Sequence, residues 1–359
     1  MKKEKDIEKN MALIEDSVNN FILLLEKMKK EYSSDSKGSD TVLDDSQIDY
    51  EIETLEDVLK KKNIKQVKSI LFKYGIEFDN YTDDQELISY TANVLRDKEF
   101  MKKALVVEDP KTLKDFYLNT LSSNVFFKHQ TGILVYSFTN IADYCYINEL
   151  GYVVIPEDIK KIFNELYDER FIKLNKDVHW IKQCVFYSEF MYQNVIFELV
   201  LKMAQLKKDT YISKKKLEEV LTKYLEFEVS EDSNEEIFDF DSFDGYFPTL
   251  KEIRYFGITK AFKSAHYDNL AKYIAKNYKI EKFEVETLLN VLYAFVSGGA
   301  SKEEFVNAIS DRLEIKSDEF ISDPKLTKLM DLAFMDTRLV RLKGYKINEV
   351  EECASNLVN

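Results

Sequence analysis

Proline and glycine are scarce in this chain, at 4 and 9 of 359 residues. These two residues punctuate strand-and-turn folds, so their rarity beside abundant Leu, Lys, Glu and Ile excludes a loop-rich β architecture. A mainly α, multi-helical protein is expected. Cysteine is scarcer still: Cys145, Cys184 and Cys353 lie far apart with no CxxC pair, which excludes a disulfide framework and a zinc knuckle. Widely spaced free thiols suit a reducing cytoplasm. Charges interrupt every apolar stretch before the span of about 18 residues that a membrane helix needs, and no signal-peptide pattern follows the opening MKKEKD. A cytoplasmic protein without a membrane partner is expected.

Catalytic signatures are missing as well. The chain has no GxxxxGK[ST] loop, no GxGxxG, no HExxH and no GxSxG. Its three histidines, His129, His179 and His266, stand without ligand spacing, and no carboxylate pair is singled out for acid and base work. The stretch DFDSFDGY, Asp239 to Tyr246, resembles a calcium loop until it is counted. From Asp239, the fifth position is Phe243, the sixth is Asp244 and the twelfth is Leu250, where such a loop needs an oxygen ligand, a glycine and a bidentate Glu. An acidic surface loop over 229–248 is the better reading. No catalytic residue, metal site or cofactor is expected, and the chain does not read as an enzyme.

Hydrophobics at 45% and aromatics at 13% are ample for globular cores, while the net charge of −14 disfavours a general nucleic-acid binder. Richness in Lys, Ile, Asn and Tyr suggests a low-G+C bacterial protein. Residues 1–32 read as a tethered amphipathic helix. Ile7, Met11, Ile14, Val18, Phe21, Leu25 and Met28 alternate steps of four and three, the spacing of a helical seam, with Tyr32 continuing it. The polar, acidic stretch 33–47 is expected to be a flexible linker. Such a stripe could dock on a partner protein, on a second copy or on the body of the chain.

Residues 48–170 read as a helical module followed by a hairpin. Val67, Ile70, Leu71 and Tyr74 share a helical face, Gly75 ends that helix, and Thr82 with Gln85 offers a capping box for the next. This pattern resembles the helix-extension-helix domains of the SAP and Rho-termination-factor N-terminal type, which occur in nucleic-acid-related proteins. Lys60, Lys61, Lys62, Lys65, Lys68 and Lys73 are the candidate nucleic-acid contacts. Asp83 and Asp84 depart from the family, placing carboxylates where its second helix would approach phosphate. Asp109 and Pro110 predict a further helix start. Tyr144–Ile147 and Tyr152–Ile155 are β-prone runs around Gly151, so a small winged-helix-like hairpin is expected, with a helix from Pro156 and Glu157.

Residues 171–359 read as a C-terminal helical domain whose expected core includes Phe171, Trp180, Val185, Phe186, Phe190 and Leu199. Near its end Leu342, Gly344, Tyr345 and Glu349 are similar to the Leu-x-Gly-[His/Tyr]-x-x-x-Glu segment preceding the metal motif of SEC-C-type helical bacterial proteins. The CxC ligands of that motif do not follow, so zinc binding is not implied. The whole reads as a non-catalytic protein-interaction or regulatory adaptor, with a nucleic-acid-associated factor using the lysines and the hairpin as the alternative.

Overall fold

A computed structural model of the chain describes residues 53–78, 83–121, 139–147, 153–208, 211–227, 245–255, 264–280, 282–312 and 322–350. The N-terminal stripe from Ile7 to Met28, the linker 33–47, the carboxylates of the acidic loop, Thr82, His129 and Cys353 lie outside them. The described residues are mainly α-helical and fall into two compact units. One takes those within Asp44–Lys182 and Asp209–Ser233, the other those within Gln183–Lys208 and Asn234–Asn359.

The first unit begins with a capping box. Thr54 accepts the Asp57 N–H while the Asp57 carboxylate accepts the Thr54 N–H at 2.9 Å, opening α1, Leu55–Lys61. Asn63 and Gln66 repeat the device for α2, Ile64–Lys73, so the lysine-rich stretch is two helices broken at Asn63 rather than one. The Ile76 N–H reaches back to the Leu71 carbonyl across Gly75, whose φ of +65° is the left-handed conformation glycine tolerates. Helix α3, Asp84–Arg96, is capped by Asp83, which accepts the Glu86 N–H and stands one residue on from the Thr82 that the sequence pattern names. A carboxylate one residue later does the same work and also favours the helix dipole.

Asp97 caps α4, Lys98–Leu105, and Asp109 with Pro110 opens α5, Pro110–Thr120, as the sequence predicts. A 3₁₀ turn, Asn140–Asp143, leads into a short antiparallel ladder. In it β1, Tyr146–Ile147, pairs with β2, Val153–Val154, in the register Tyr146 to Val154. Helix α6, Glu157–Leu166, follows. Its Asp158 carboxylate accepts the Leu55 N–H at 3.1 Å, tying the first turn of α1 to an element 103 residues away. Phe163 sits at the centre of the core, 4.9 Å from Phe116 edge to face and 6.3 Å from Phe171. Phe171 lies on the long helix α7, Glu169–Tyr192, and α9, Lys214–Tyr224, completes the unit.

The second unit holds the end of α7 from Gln183, α8, Phe197–Gln205, and α10, Leu250–Tyr255. A four-helix body follows: α11, Ala265–Tyr278; α12, Lys282–Gly298; α13, Lys302–Arg312; and α14, Pro324–Met335. Gly299 turns the chain after α12, and Ser301 with Glu304 forms the capping box of α13. Tyr267 packs on Tyr293 and Phe305 at the centre. Two expected core residues fall short of the core: Phe190 is half-buried, and Phe186 is exposed, with the neighbouring Tyr187 buried in its stead. Helical phase decides this, because Cys184, Val185 and Ser188 already define the buried side of that turn.

Phe163→Ala should destabilise the first unit by about 3–5 kcal/mol, the usual cost of emptying an aromatic core position. Chemical denaturation followed by near-ultraviolet dichroism checks this. A loss below about 1 kcal/mol would show that the core closes around the gap.

Candidate functional site

The six candidate lysines are not equivalent in the structure. Lys60 pairs within its own helix with Glu56, at 3.1 Å. Lys62 donates to the Ala142 carbonyl at 3.2 Å, and Lys73 donates to the Asp143 carboxylate at 2.8 Å, on the same oxygen that accepts the Tyr74 hydroxyl. Two of the six therefore hold the 3₁₀ turn against α1 and α2. That turn is built from buried polar parts. The Glu108 carboxylate accepts the Asn140 N–H at 2.7 Å, and the Asn140 amide donates to the Ala104 carbonyl. Burial pushes the Glu108 carboxyl above its ordinary value, against the opposing pull of the Asn140 N–H and of Lys182 and Lys73. Lys73 is thus a structural cation, not a free one.

Lys61, Lys65 and Lys68 differ. All three are exposed, and none of their side chains has an ion pair or hydrogen bond among the described residues. Between Lys60 and Lys73 the chain has six lysines and no acid, a local inversion of a chain whose net charge is −14. Phe72 lies four residues from Lys68 and seven from Lys65, hence on the same face of α2, and it is 80% exposed. The opposite face buries Val67, Ile70 and Leu71. Phe72 was not legible as a site residue from the pattern, because an apolar residue beside a buried stripe reads as its margin. Phase would have flagged it: at 100° per residue it falls between the two lysines, away from Val67.

The second unit carries a different cluster around Arg338, whose side chain is 5% exposed. Its Nε donates to Glu252 Oε1 at 2.6 Å, and its Nη1 donates to the Gly344 carbonyl at 2.9 Å and to Glu349 Oε2 at 3.0 Å. The guanidinium sits over the Tyr246 ring, its Cζ 3.3 Å from the centroid. Glu252 is fully engaged: its other oxygen accepts the Thr249 N–H at 2.7 Å, the Thr249 hydroxyl and the Tyr246 hydroxyl. Burial alone would raise the Glu252 carboxyl, but the Thr249 N–H and the Arg338 charge reverse this and hold it below its ordinary value. Tyr192 closes the cluster by donating its hydroxyl to the Tyr246 carbonyl.

Gly344, Tyr345 and Glu349, three of the four residues in the Leu-x-Gly-Tyr pattern, belong to this cluster. Gly344 has φ +85°, and a Cβ there would sit 3.5 Å from the Tyr246 Cβ, so the glycine serves backbone conformation first. Tyr345 meets Tyr246 edge to face at 5.9 Å. Every carboxylate oxygen facing the guanidinium has a donor, and an arginine in this setting keeps its proton. The cluster is a clamp that holds its charged groups against one another.

The thiols are also committed. Burial pushes Cys145 up to about 12 and Cys184 well above its ordinary value, so both stay protonated and poorly nucleophilic. Among the described residues no group of three or more His, Cys, Asp or Glu side chains is placed to hold a metal ion. Nor is any described helix long and apolar enough to cross a membrane. Compared with family models, curated proteins and solved structures, the chain matches none.

Replacing Arg338 with Met leaves the buried Glu252 carboxylate and the partly exposed Glu349 carboxylate without their cation and should cost about 3–5 kcal/mol in denaturant unfolding, with Glu252→Gln in the same chain recovering part of the loss. Acid should act on the same clamp. A carboxyl held low in the folded state contributes stability that is complete above its ordinary value of 4.5 and is lost as pH falls through the lower folded value. Acid unfolding of the second unit should therefore flatten in Glu252→Gln. An unchanged acid limb would assign the pH dependence to other groups.

Proposed function

We propose that the protein is a non-catalytic interaction or regulatory adaptor and that the outer face of α2 is one of its docking surfaces. The observation that carries this reading is Phe72, an aromatic side chain four-fifths exposed between unpartnered lysines. Leaving such a ring in water forgoes about 1.5–3 kcal/mol that burial would return, and aromatic side chains are favoured anchors at the centres of interfaces. The N-terminal stripe from Ile7 to Met28 serves the same reading as a second docking element, on its heptad spacing alone. A second reading, contact with nucleic acid through Lys61, Lys65 and Lys68, draws on the acid-free run from Lys60 to Lys73.

The test places a photoreactive amino acid at position 72 of the full chain in cells, with Glu219 as an exposed control position on α9. A single dominant protein adduct at 72 and not at 219 is expected. The adduct, identified by mass spectrometry and purified, should bind the chain with an affinity about tenfold weaker against Phe72→Ala. Equal labelling at both positions would overturn the docking reading, and an adduct removed by nuclease would replace it with the second.

A further inference from the structure

We infer that the segment docked on α2 is acidic and amphipathic, with two or three carboxylates set around one large apolar side chain. This rests on the reading that α2 is a docking surface and adds the chemistry of what docks there. The argument is one of complementarity. Lys61, Lys65 and Lys68 present three charges of one sign without a compensating acid, so an anionic partner loses little by meeting them. Phe72 shares the outer face of α2 with Lys65 and Lys68, one turn beyond Lys68, so an anion that meets these lysines gains by bringing apolar surface to the same face. Lys65 and Phe72 are seven residues apart, or about 10 Å along the helix, a reach that a single short segment spans.

A polyanion fits these facts less well. Affinity for a phosphate backbone grows with the number of phosphates neutralised, and three lysines neutralise few. The same unit presents exposed Asp83, Asp84 and Glu86 at the start of α3, and the chain as a whole repels polyanions with 65 acids against 51 bases. A carboxylate-bearing protein segment needs only local charge, and its apolar anchor gains from Phe72 what a phosphate cannot. The lysine stems add to this, since their methylenes can lie along an apolar partner while the ammonium groups reach out to carboxylates.

The experiment uses the full chain and fluorescently labelled ten-residue peptides. Each carries three acids and one Phe, with the distance from the Phe to the nearest acid varied across the panel. Controls are the same peptides with Phe replaced by Ser, the same peptides with Lys for the acids, and a single-stranded oligonucleotide of ten thymidines. At least one acid-and-Phe spacing should bind in anisotropy titrations, about tenfold more tightly than its Ser control. Binding should weaken by a similar factor with Phe72→Ala, with Lys65→Gln/Lys68→Gln, and on raising salt, because exposed charge pairs are screened. Both variants change exposed positions, and unchanged far-ultraviolet dichroism confirms that they fold. If every peptide fails while the purified crosslinked partner still binds through Phe72, the chemistry proposed here is wrong and the docking reading stands. If the partner's binding is also indifferent to Phe72, both fail. Tighter binding of the oligonucleotide than of any peptide overturns the inference in favour of nucleic acid.

Discussion

A buried guanidinium imposes more on a fold than almost any other group, because it cannot shed its charge and brings five N–H donors that need acceptors. Arg338 imposes this on the second unit. Its acceptors come from three separate places: Glu252 on α10, the Gly344 carbonyl in the turn after the 3₁₀ residues Val340–Leu342, and Glu349 beyond it. Tyr246 supplies the flat face that no hydrogen bond can provide. Gly344 must then take a positive φ to turn its carbonyl toward the guanidinium, and Tyr192 must hold the Tyr246 backbone. Remove the cation and each of these choices loses its reason.

Local chemistry was legible in the sequence where the physics is local. Asp109 with Pro110, Ser301 with Glu304 and Gly75 before Ile76 each act within about one helical turn, and each stands where the pattern places it. The displaced cap at Asp83 belongs to the same class, since three candidate cap residues in a row, Thr82, Asp83 and Asp84, leave the choice to how α3 must enter. The hairpin was legible from its β-branched and aromatic runs. The Arg338 cluster was not, because Glu252 and Arg338 are 86 residues apart and neither carries a local signature. Its trace in the sequence was the Leu-x-Gly-Tyr pattern, which reads as a prelude to a metal motif and is, in this fold, part of a clamp.

The lysine cluster shows a different limit. Six lysines in fourteen residues look alike in a sequence, yet the fold spends them differently. Lys62 and Lys73 point to the side where the 3₁₀ turn lies and are used there, Lys60 is engaged by Glu56 one turn back, and Lys61, Lys65 and Lys68 remain. What separates the two groups is which side of α1 or α2 faces the rest of the unit, and that depends on contacts with residues about 70 to 80 positions away.

This division bears on why α2 can carry an exposed aromatic at all. A ten-residue helix is marginal by itself, and propensity does not hold it. Its stability comes from the inner face, where Val67, Ile70 and Leu71 pack, and from its C-terminal end, where Lys73 and Tyr74 converge on one oxygen of Asp143. With the helix held from within, its outer residues contribute little to folding and are free to be chosen for other reasons. An outer face selected only for solubility would carry mixed charges and no large apolar group. The outer face of α2 carries one sign of charge and a phenylalanine. The exposed ring gains the isolated protein nothing in stability, and this is the feature of the face on which the proposed docking rests.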